Sequence, residues 1–288
     1  PITAETSALP SASAAALGDT SIVKVVHNCA PALSNDHKKL YLAVSTGNFG
    51  GGYLVCLDSR TLSPISRVRL KDVRQPSFDA YLPDDGTASP TVGPDGDVYF
   101  GVLEANLGSN HYRGWLLHFD GTLAQTKTPG AFGWDDTASV VPASAVPSYH
   151  GSSKYLLLTK YNNYAGNGLN KVAILDPNDS MNDPISITTV MREVITVLGV
   201  TPDPEYVADF PGAVREWCIN TAAVDPITKC AIINSEDGKV YRWDFTTNAL
   251  IQPITLTSGI GEAYTPTVIG VDGTIYAISN GTLFAVGQ

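Results

Sequence analysis

One strand–turn–strand pattern occurs twice in the chain, far apart. Residues 88–102 read ASPTVGPDGDVYFGV, and residues 264–279 read YTPTVIGVDGTIYAIS. The Asp-Gly pair in each copy tolerates the positive φ that a two-residue hairpin turn requires, and apolar and polar residues alternate on both sides of it. A pattern repeated at this distance predicts a fold built from copies of one antiparallel unit.

Looser copies bring the number of hairpins to five. Each hairpin is followed by a third strand, and in four of the five copies that strand ends near an Asp. A fourth strand follows the first four hairpins, whereas the last copy reaches the end of the sequence without one. The looser hairpins span residues 30–44, 137–160 and 220–234; the third strands span 53–58, 115–120, 171–176, 240–244 and 282–286; the fourth strands span 65–70, 123–128, 185–197 and 250–257.

The strand predicted at residues 21–26 precedes the first hairpin and has no partner of its own. We expect it to complete the last sheet. The prediction is therefore an all-β fold, a five-bladed β-propeller of four-stranded antiparallel blades, in which strand edges are short or protected. Residues 21–288 would form this single domain, and the Ala/Ser/Thr-rich residues 1–20 a flexible N-terminal segment.

Composition excludes several classes of protein. The 288 residues carry 18 Lys and Arg against 28 Asp and Glu, a net charge of −10, which argues against a nucleic-acid-binding protein. No apolar run reaches the roughly 18 residues of a membrane span, and no basic cluster predicts attachment to a bilayer. Low charge with abundant Tyr, Asn and Thr favours export, to an extracellular or periplasmic location. The four cysteines lack metal-type spacing and allow three disulfide pairings; we expect buried free thiols.

The repeat resembles the quinoprotein-type (PQQ-like) β-propeller repeat. The resemblance rests on SPTVGPDGDVYFG and TPTVIGVDGTIYAIS, and on the third strands YLVCLDSRTL and KVYRWDFTTNAL. In the family's dehydrogenases the repeat reads roughly A-x-D-x-x-T-G-K-x-x-W, and eight blades hold the quinone. Here the Gly-Lys pair and the Trp are missing after Asp58 and Asp244. The resemblance therefore implies the fold, with PQQ unlikely and no cofactor expected beyond a calcium ion at most.

Loop lengths predict which face of the propeller binds a ligand. We call the long-loop face the side that carries the connections from the second to the third strand of each blade and from each blade to the next. Long loops on a rigid scaffold are where binding residues concentrate. Aromatic platforms with amide and carboxylate partners suit a sugar, although such residues also fill turns and blade edges in any β protein. The candidate ligand-binding residues are His27, Asn48, Phe49, Tyr81, Tyr112, Arg113, Trp134, Tyr161, Asn162, Trp217 and Tyr264.

Acidic residues precede the innermost strands, where the blades converge on the axis. Aligned on the Pro-Thr-Val register, Asp85, Asp136 and Glu262 take equivalent positions, with Glu216 close by. Carboxylates brought together raise one another's pKa or share a hard cation such as Ca²⁺. The four are therefore candidate catalytic residues for a carboxylate-based hydrolase or lyase, which needs two carboxyl groups about 5–10 Å apart. Asp85, Asp136 and Glu262 are candidate ligands of a cation. Solvated strand ends are the simpler explanation.

Three hypotheses follow. The first is an exported propeller that binds a neutral or cationic small molecule or a glycan on the long-loop face. The second is the carboxylate-based or calcium-assisted hydrolase or lyase at the channel mouth. The third is a scaffold for a protein partner, which a channel mouth plugged by side chains would favour. None of the three inserts into a membrane or binds nucleic acid.

Overall fold

The computed structural model describes residues 11–84 and 86–287. Apart from one short α-helix, α1 (Ser11–Ala15), and a single 3-10 turn (Ala143–Ala145), the regular structure of these residues consists of strands. They form five antiparallel sheets that follow one another along the chain. The prediction of an all-β fold built from antiparallel sheets is confirmed.

The first sheet has three full strands and two short ones on its inner edge. Its strands are β1 (Lys24–Val25), β2 (Ala32–Leu33), β3 (Lys39–Ser45), β4 (Gly52–Asp58) and β5 (Pro64–Arg69). Both β1 and β2 pair with the same edge of β3: Lys24 lies opposite Ser45, and Ala32 lies opposite Tyr41.

The other four sheets repeat this plan with three or four strands each. The second sheet contains β6 (Thr91–Val92), β7 (Val98–Val102) and β8 (Trp115–Phe119); the third contains β9 (Ser139–Pro142), β10 (Tyr155–Tyr161), β11 (Lys171–Asn182) and β12 (Thr189–Leu198); the fourth contains β13 (Ala223–Asp225), β14 (Cys230–Asn234), β15 (Lys239–Asp244) and β16 (Ala249–Thr255); the fifth contains β17 (Val268–Ile269), β18 (Ile275–Ser279) and β19 (Thr282–Val286). The fourth strand predicted for the second sheet is reduced to two bridges, from Leu116 to Gly130 and from Phe119 to Thr126.

The N-terminal strand lies in a different sheet from the predicted one. We expected residues 21–26 to complete the last sheet, but β1 pairs with β3 of the first sheet. The inner edge of β3 is seven residues long and β2 covers only its first half, so β1 covers the open remainder. The last sheet has only β17, β18 and β19 among the described residues.

Part of the segment predicted to be flexible is packed against the first sheet. Ala12 and Ala16 are buried in one cluster with Ile22, Val44 and Val55. The run of small residues forms one helical turn because Ala is the best helix former and lies flat against the apolar strands. Residues 1–10 lie outside the described part of the chain.

Hydrogen bonds join the first strands of neighbouring sheets close to their N-terminal ends. Each bond links two residues that lie in or just before these strands, and we call the set the inner belt. Its bonds run from Ala30 N to Ser89 Oγ (2.9 Å), from Ser89 N to Thr137 Oγ1 (2.9 Å), from Thr137 N to Asn220 O (2.9 Å) and from Thr267 N to Thr221 O (3.0 Å).

A further contact joins two sheets that are not adjacent in the inner belt. Asn220, which precedes the fourth sheet, contacts Thr87, which precedes the second sheet. Its amide nitrogen donates to Thr87 O at 2.7 Å and to Thr87 Oγ1 at 2.8 Å. Sheets two and four are not neighbours in the chain, so this contact bridges two sheets that the inner belt otherwise connects only through the third.

Replacing Asn220 by Ala should therefore lower the free energy of unfolding by about 1–3 kcal/mol, because the partner groups on Thr87 lose their donor in a buried site. Urea unfolding followed by circular dichroism measures the loss. Asn106→Ala is the matched control, since Asn106 is exposed and should lose less than about 0.5 kcal/mol. Equal losses for both variants would contradict the bridging role.

Candidate functional site

The long-loop face carries most of the exposed aromatic side chains. Seven Phe or Tyr residues are exposed in the described part of the chain, and six of them lie in connections on this face. The seventh, Tyr276, lies in β18. We call the six the aromatic rim: Phe49, Phe78, Tyr112, Tyr206, Phe210 and Tyr264.

Three members of the aromatic rim have a left-handed backbone. The φ angle is 53° at Phe49, 58° at Tyr112 and 42° at Tyr264. Bulky residues rarely adopt this conformation, and where they do the surrounding structure has to enforce it. Phe49 is supported by an edge-on contact with Tyr81, whose ring centroid lies 6.2 Å away. The loops therefore hold these rings outward in a defined position.

The eleven candidate ligand-binding residues divide into a surface group and a buried group. His27, Asn48, Phe49, Tyr112 and Tyr264 are exposed, and Tyr81 and Trp134 are half-buried. Arg113, Tyr161, Asn162 and Trp217 are buried. The structure thus brings a subset of the predicted residues to one surface and places the rest in the interior.

Trp217 is a core residue, and this corrects the expectation that it forms a binding platform. Its side chain is 1 % exposed and packs with Leu156 and Trp243 between the third and fourth sheets. Its indole nitrogen donates to Asn170 O at 3.2 Å. The ring points inward because the large gap between two twisted sheets needs a large side chain to fill it.

Asn162 also has a structural role. Its Oδ1 accepts a hydrogen bond from Trp217 N at 3.0 Å, and its Nδ2 donates to Trp217 O at 3.1 Å. The side chain thus ties the end of β10 to the start of the fourth sheet. Its Nδ2 also donates to the Tyr164 hydroxyl at 3.0 Å, so the amide is already bonded within the protein.

The four candidate catalytic acids differ in their surroundings. Asp136 is buried, Glu216 is half-buried and Glu262 is exposed. Asp85 lies outside the described residues. In that part of the chain no group of three or more His, Cys, Asp or Glu residues is arranged to hold a metal ion. The calcium site stays a prediction, as does the absence of PQQ.

Lys160, near the end of β10, lies close to the carboxylates of Asp135 and Asp136. It is 1 % exposed, and its ammonium nitrogen lies 3.3 Å from Asp135 Oδ2. Asp135 also accepts hydrogen bonds from the backbone and the hydroxyl of Thr87, and Thr159 donates its hydroxyl to Asp136. Burial opposes the charge on Lys160, but Asp135 and Asp136 outweigh it and raise the pKa of this lysine, so that it stays protonated.

Burial is the main cause of the raised pKa values of two acids near Lys160. It raises the pKa of Asp136 to about 7, against the lowering effects of Lys160 and Thr159. It also raises the pKa of Glu216 to about 7, with a further contribution from the neighbouring Glu236 carboxylate. We call Asp135, Asp136, Lys160 and Glu216 the Lys160 cluster. Two of its acids therefore exchange protons near neutral pH.

Two of the four thiols have strongly raised pKa values. All four cysteines are free, with Cys56, Cys218 and Cys230 buried, which confirms the expectation of free thiols. Burial raises the pKa of Cys218 to about 12 and that of Cys29 to about 11. Nucleophilic chemistry requires the thiolate, which these values suppress.

Little open space adjoins the Lys160 cluster. The cavity next to Asp135 and Trp134 has a volume of only about 10 Å³, roughly enough for one water molecule. A larger cavity, of about 230 Å³, lies elsewhere, between the fourth and fifth sheets beside Cys230, Tyr241 and Ile275. A third cavity, of about 150 Å³, lies beside Arg113 and Tyr161. The cavity beside Asp135 is thus too small for a ligand of sugar size.

Sequence inspection missed Lys160, although it left a signal. The strand YLLLTKY is buried at all seven positions, and Lys160 is its one charged residue. Lysine is almost never fully buried without a partner. A lysine within an apolar strand therefore indicates an acidic partner. Here the partner is the Asp135-Asp136 pair in the connection between β8 and β9.

Comparisons with known proteins bear on the fold. No protein-family model matches the sequence, and no curated protein matches it. A solved structure of the Kuenenia stuttgartiensis hydrazine synthase matches with a TM-score of 0.51 at 12% identity, covering 89% of this chain and 70% of that one. BamB from Moraxella catarrhalis matches with a TM-score of 0.49 at 15% identity, over 88% of this chain and 55% of that one.

A third solved structure, the Cps50 (Swd1) β-propeller domain of Myceliophteria thermophila, matches with a TM-score of 0.48 at 14% identity, over 87% of this chain and 67% of that one. The chain spans little more than half the length of BamB. Identities this low concern the fold alone. The sheets and the hydrazine synthase match together define a β-propeller fold. In the described residues no helix is long and apolar enough to cross a membrane.

Replacing Lys160 by Met should lower the free energy of unfolding by about 3–5 kcal/mol, because it leaves the Asp135 carboxylate buried without its cation. Thermal and urea unfolding measure the loss. Adding Asp135→Asn to this variant should recover part of it. Lys154→Met is the matched control, since Lys154 is exposed just before the same strand. A double variant no more stable than Lys160→Met would contradict the pairing.

The raised pKa values also predict a pH dependence. Between about pH 5 and pH 7 the folded protein holds protons on Asp136 and Glu216 that the unfolded chain has released, so these groups make the free energy of unfolding fall as pH rises. His118, whose pKa burial lowers, acts in the opposite direction. Comparing wild type with Asp136→Asn cancels the His118 effect. The variant should lose less stability between pH 5 and pH 7.5, and an unchanged difference would contradict the raised pKa.

Proposed function

We propose that this chain is a binding propeller whose long-loop face binds a cationic ligand. The observation that carries the proposal is the aromatic rim, which collects six of the seven exposed Phe and Tyr side chains of the described residues on one face. Exposed aromatic clusters are typical of recognition surfaces. Three of the six are held in a backbone conformation that costs free energy, which favours a selected orientation.

Charge selects between cationic and neutral ligands. Exposed carboxylates lie beside two of the six rim aromatics in the chain: Asp209 precedes Phe210, and Glu262 lies two residues before Tyr264. Neither carboxylate forms an ion pair within the described ranges. Aromatic faces attract cations through the ring quadrupole, and adjacent carboxylates reinforce that attraction. A neutral glycan would use the rings without the acids.

The carboxylate-based hydrolase or lyase has weaker support. Asp136 and Glu216 have suitably raised pKa values. However, Asp136 is 1 % exposed, and the adjoining cavity of about 10 Å³ has no room for a sugar ring. The small size of this cavity instead favours a ligand that binds across the face, such as a basic segment of a partner protein.

We further propose that the five sheets are five blades around one axis. The inner belt supports this because its hydrogen bonds connect each sheet to the next, and because Asn220 reaches across to Thr87. The proposal of an extracellular or periplasmic location rests on composition: 13 Tyr against 18 Lys and Arg in 288 residues.

A decapeptide of alternating Gly and Arg tests the cationic-ligand proposal against its Gly-Glu counterpart, using biolayer interferometry at 50 and 150 mM salt. The Gly-Arg peptide should bind, and Phe210→Ala and Tyr264→Ala should each weaken it about fivefold or more. Tyr276→Ala is the matched control, because Tyr276 is similarly exposed (39 % against 43 % for Tyr264) but lies outside the rim. It should bind like wild type.

Two outcomes would overturn the proposal: equal binding of the two peptides, or binding that the rim variants leave unchanged. A glycan array run on the same proteins separates the neutral alternative. Glycan binding that is lost in Tyr264→Ala, without binding of the Gly-Arg peptide, would assign the rim to a carbohydrate.

A further inference from the structure

A cavity of about 150 Å³ lies between the second and third sheets, apart from the aromatic rim. Its walls come from three separate segments: the β7–β8 connection supplies Arg113, the end of β10 and the following connection supply Tyr161 and Leu169, and the β11–β12 hairpin supplies Ile185 and Glu193. A cavity of this volume accommodates a benzene-sized molecule.

The hairpin wall is fixed by a buried ion pair. The two terminal nitrogens of Arg113 contact the two carboxylate oxygens of Asp183 at 3.2 and 2.6 Å, and both side chains are 2 % exposed. Ser186 donates its backbone N–H to Asp183 at 2.6 Å and its hydroxyl at 2.7 Å. Arg113 and Asp183 thus satisfy each other and build the wall, and the charge that a ligand would meet comes from other residues.

Three polar groups line the cavity: the Tyr161 hydroxyl, the Glu193 carboxylate and the Lys171 ammonium. The hydroxyl of Tyr161, a residue that is 6 % exposed, makes no hydrogen bond of normal geometry within the described part of the chain, although the Glu193 carboxylate lies close to it. The Glu193 carboxylate and the Lys171 ammonium form no ion pair there, either with each other or with another residue. Burial and the nearby Glu193 carboxylate raise the pKa of Tyr161, which keeps its hydroxyl protonated.

Opposite charges left apart in one cavity define a specific ligand chemistry. The Tyr161 hydroxyl is buried, and a buried polar group without a partner is destabilising. Glu193 and Lys171 are half-buried and carry opposite charges, so a singly charged molecule would pair with only one of them. A molecule that carries both an ammonium and a carboxylate would pair with both. Leu169 and Ile185 leave an apolar part of the same cavity for a short aliphatic chain.

We propose that this cavity binds a small zwitterion of amino-acid size. Its ammonium group pairs with Glu193, its carboxylate pairs with Lys171, and the Tyr161 hydroxyl hydrogen-bonds to it. The aliphatic part packs against Leu169 and Ile185. The site is independent of the aromatic rim, since it shares no residue with it.

Isothermal titration with L-valine at pH 7 tests the proposal, with two analogues that each lack one charge: isobutylamine without the carboxylate, and 3-methylbutanoate without the ammonium. Valine should bind at least tenfold more tightly than either analogue. Glu193→Gln and Lys171→Gln should each weaken valine binding at least tenfold, and Tyr161→Phe severalfold. Lys154→Gln, which removes an exposed lysine just before β10, should bind valine like wild type.

Circular dichroism on the same variants verifies folding, because Glu193 and Lys171 are half-buried and their replacement leaves the core intact. Absence of valine binding to the folded wild type would overturn the proposal. Equal affinities for valine and 3-methylbutanoate, or unchanged valine affinity in folded Glu193→Gln, would overturn it as well. The Gly-Arg peptide experiment is unaffected by either result, so failure here leaves the function of the aromatic rim standing.

Discussion

The arrangement of the five sheets depends on hydrogen bonds that join residues in or just before the first strand of one sheet to their counterparts in the next sheet. β2, β6 and β17 have two residues each, so regular strand pairing contributes little at the inner edges of these sheets. The inner belt replaces it with side-chain and backbone bonds between neighbouring sheets. Thr137 illustrates this: its hydroxyl accepts from Ser89 and its backbone N–H donates to Asn220. Buried backbone groups need such partners, so the belt both satisfies them and fixes the spacing of the sheets.

Local signals explain what the sequence predicted correctly. Hairpins form at Asp95-Gly96 and Asp272-Gly273 as expected, because the turn residues and alternating flanks act within a few positions of one another. Each loop has three residues and not the expected two, since Gly93 N bonds to Asp97 O and Gly270 N to Thr274 O, and φ is 91° and 84° at the glycines. The strand at Lys24–Val25 was found, but its partner was wrong. Pairing between distant segments depends on which edge is open in the folded protein, and no local pattern in the sequence encodes that.

At the candidate site, too, the sequence placed some residues correctly and others wrongly. Phe49, Tyr112 and Tyr264 were predicted on the long-loop face and lie there exposed. Trp217 was assigned to the same surface because it lies, like Tyr264, in a connection between predicted blades, yet it fills the gap between two sheets. Sequence position gives the connection in which a residue lies. Whether its side chain points outward or between sheets depends on how far apart the sheets pack, which the sequence pattern does not specify.

Lys160 balances the negative charge of the buried Asp135 carboxylate. Replacing a buried ion pair by apolar residues often costs nothing in stability, so the pair is better explained by what surrounds it. Asp135 is needed in the interior because it caps Thr87 through two hydrogen bonds. Once that carboxylate is buried, a cation must accompany it, and Lys160 is the nearest. Asp209 and Glu262, by contrast, are exposed beside the rim aromatics, so part of the net charge of −10 lies at that surface.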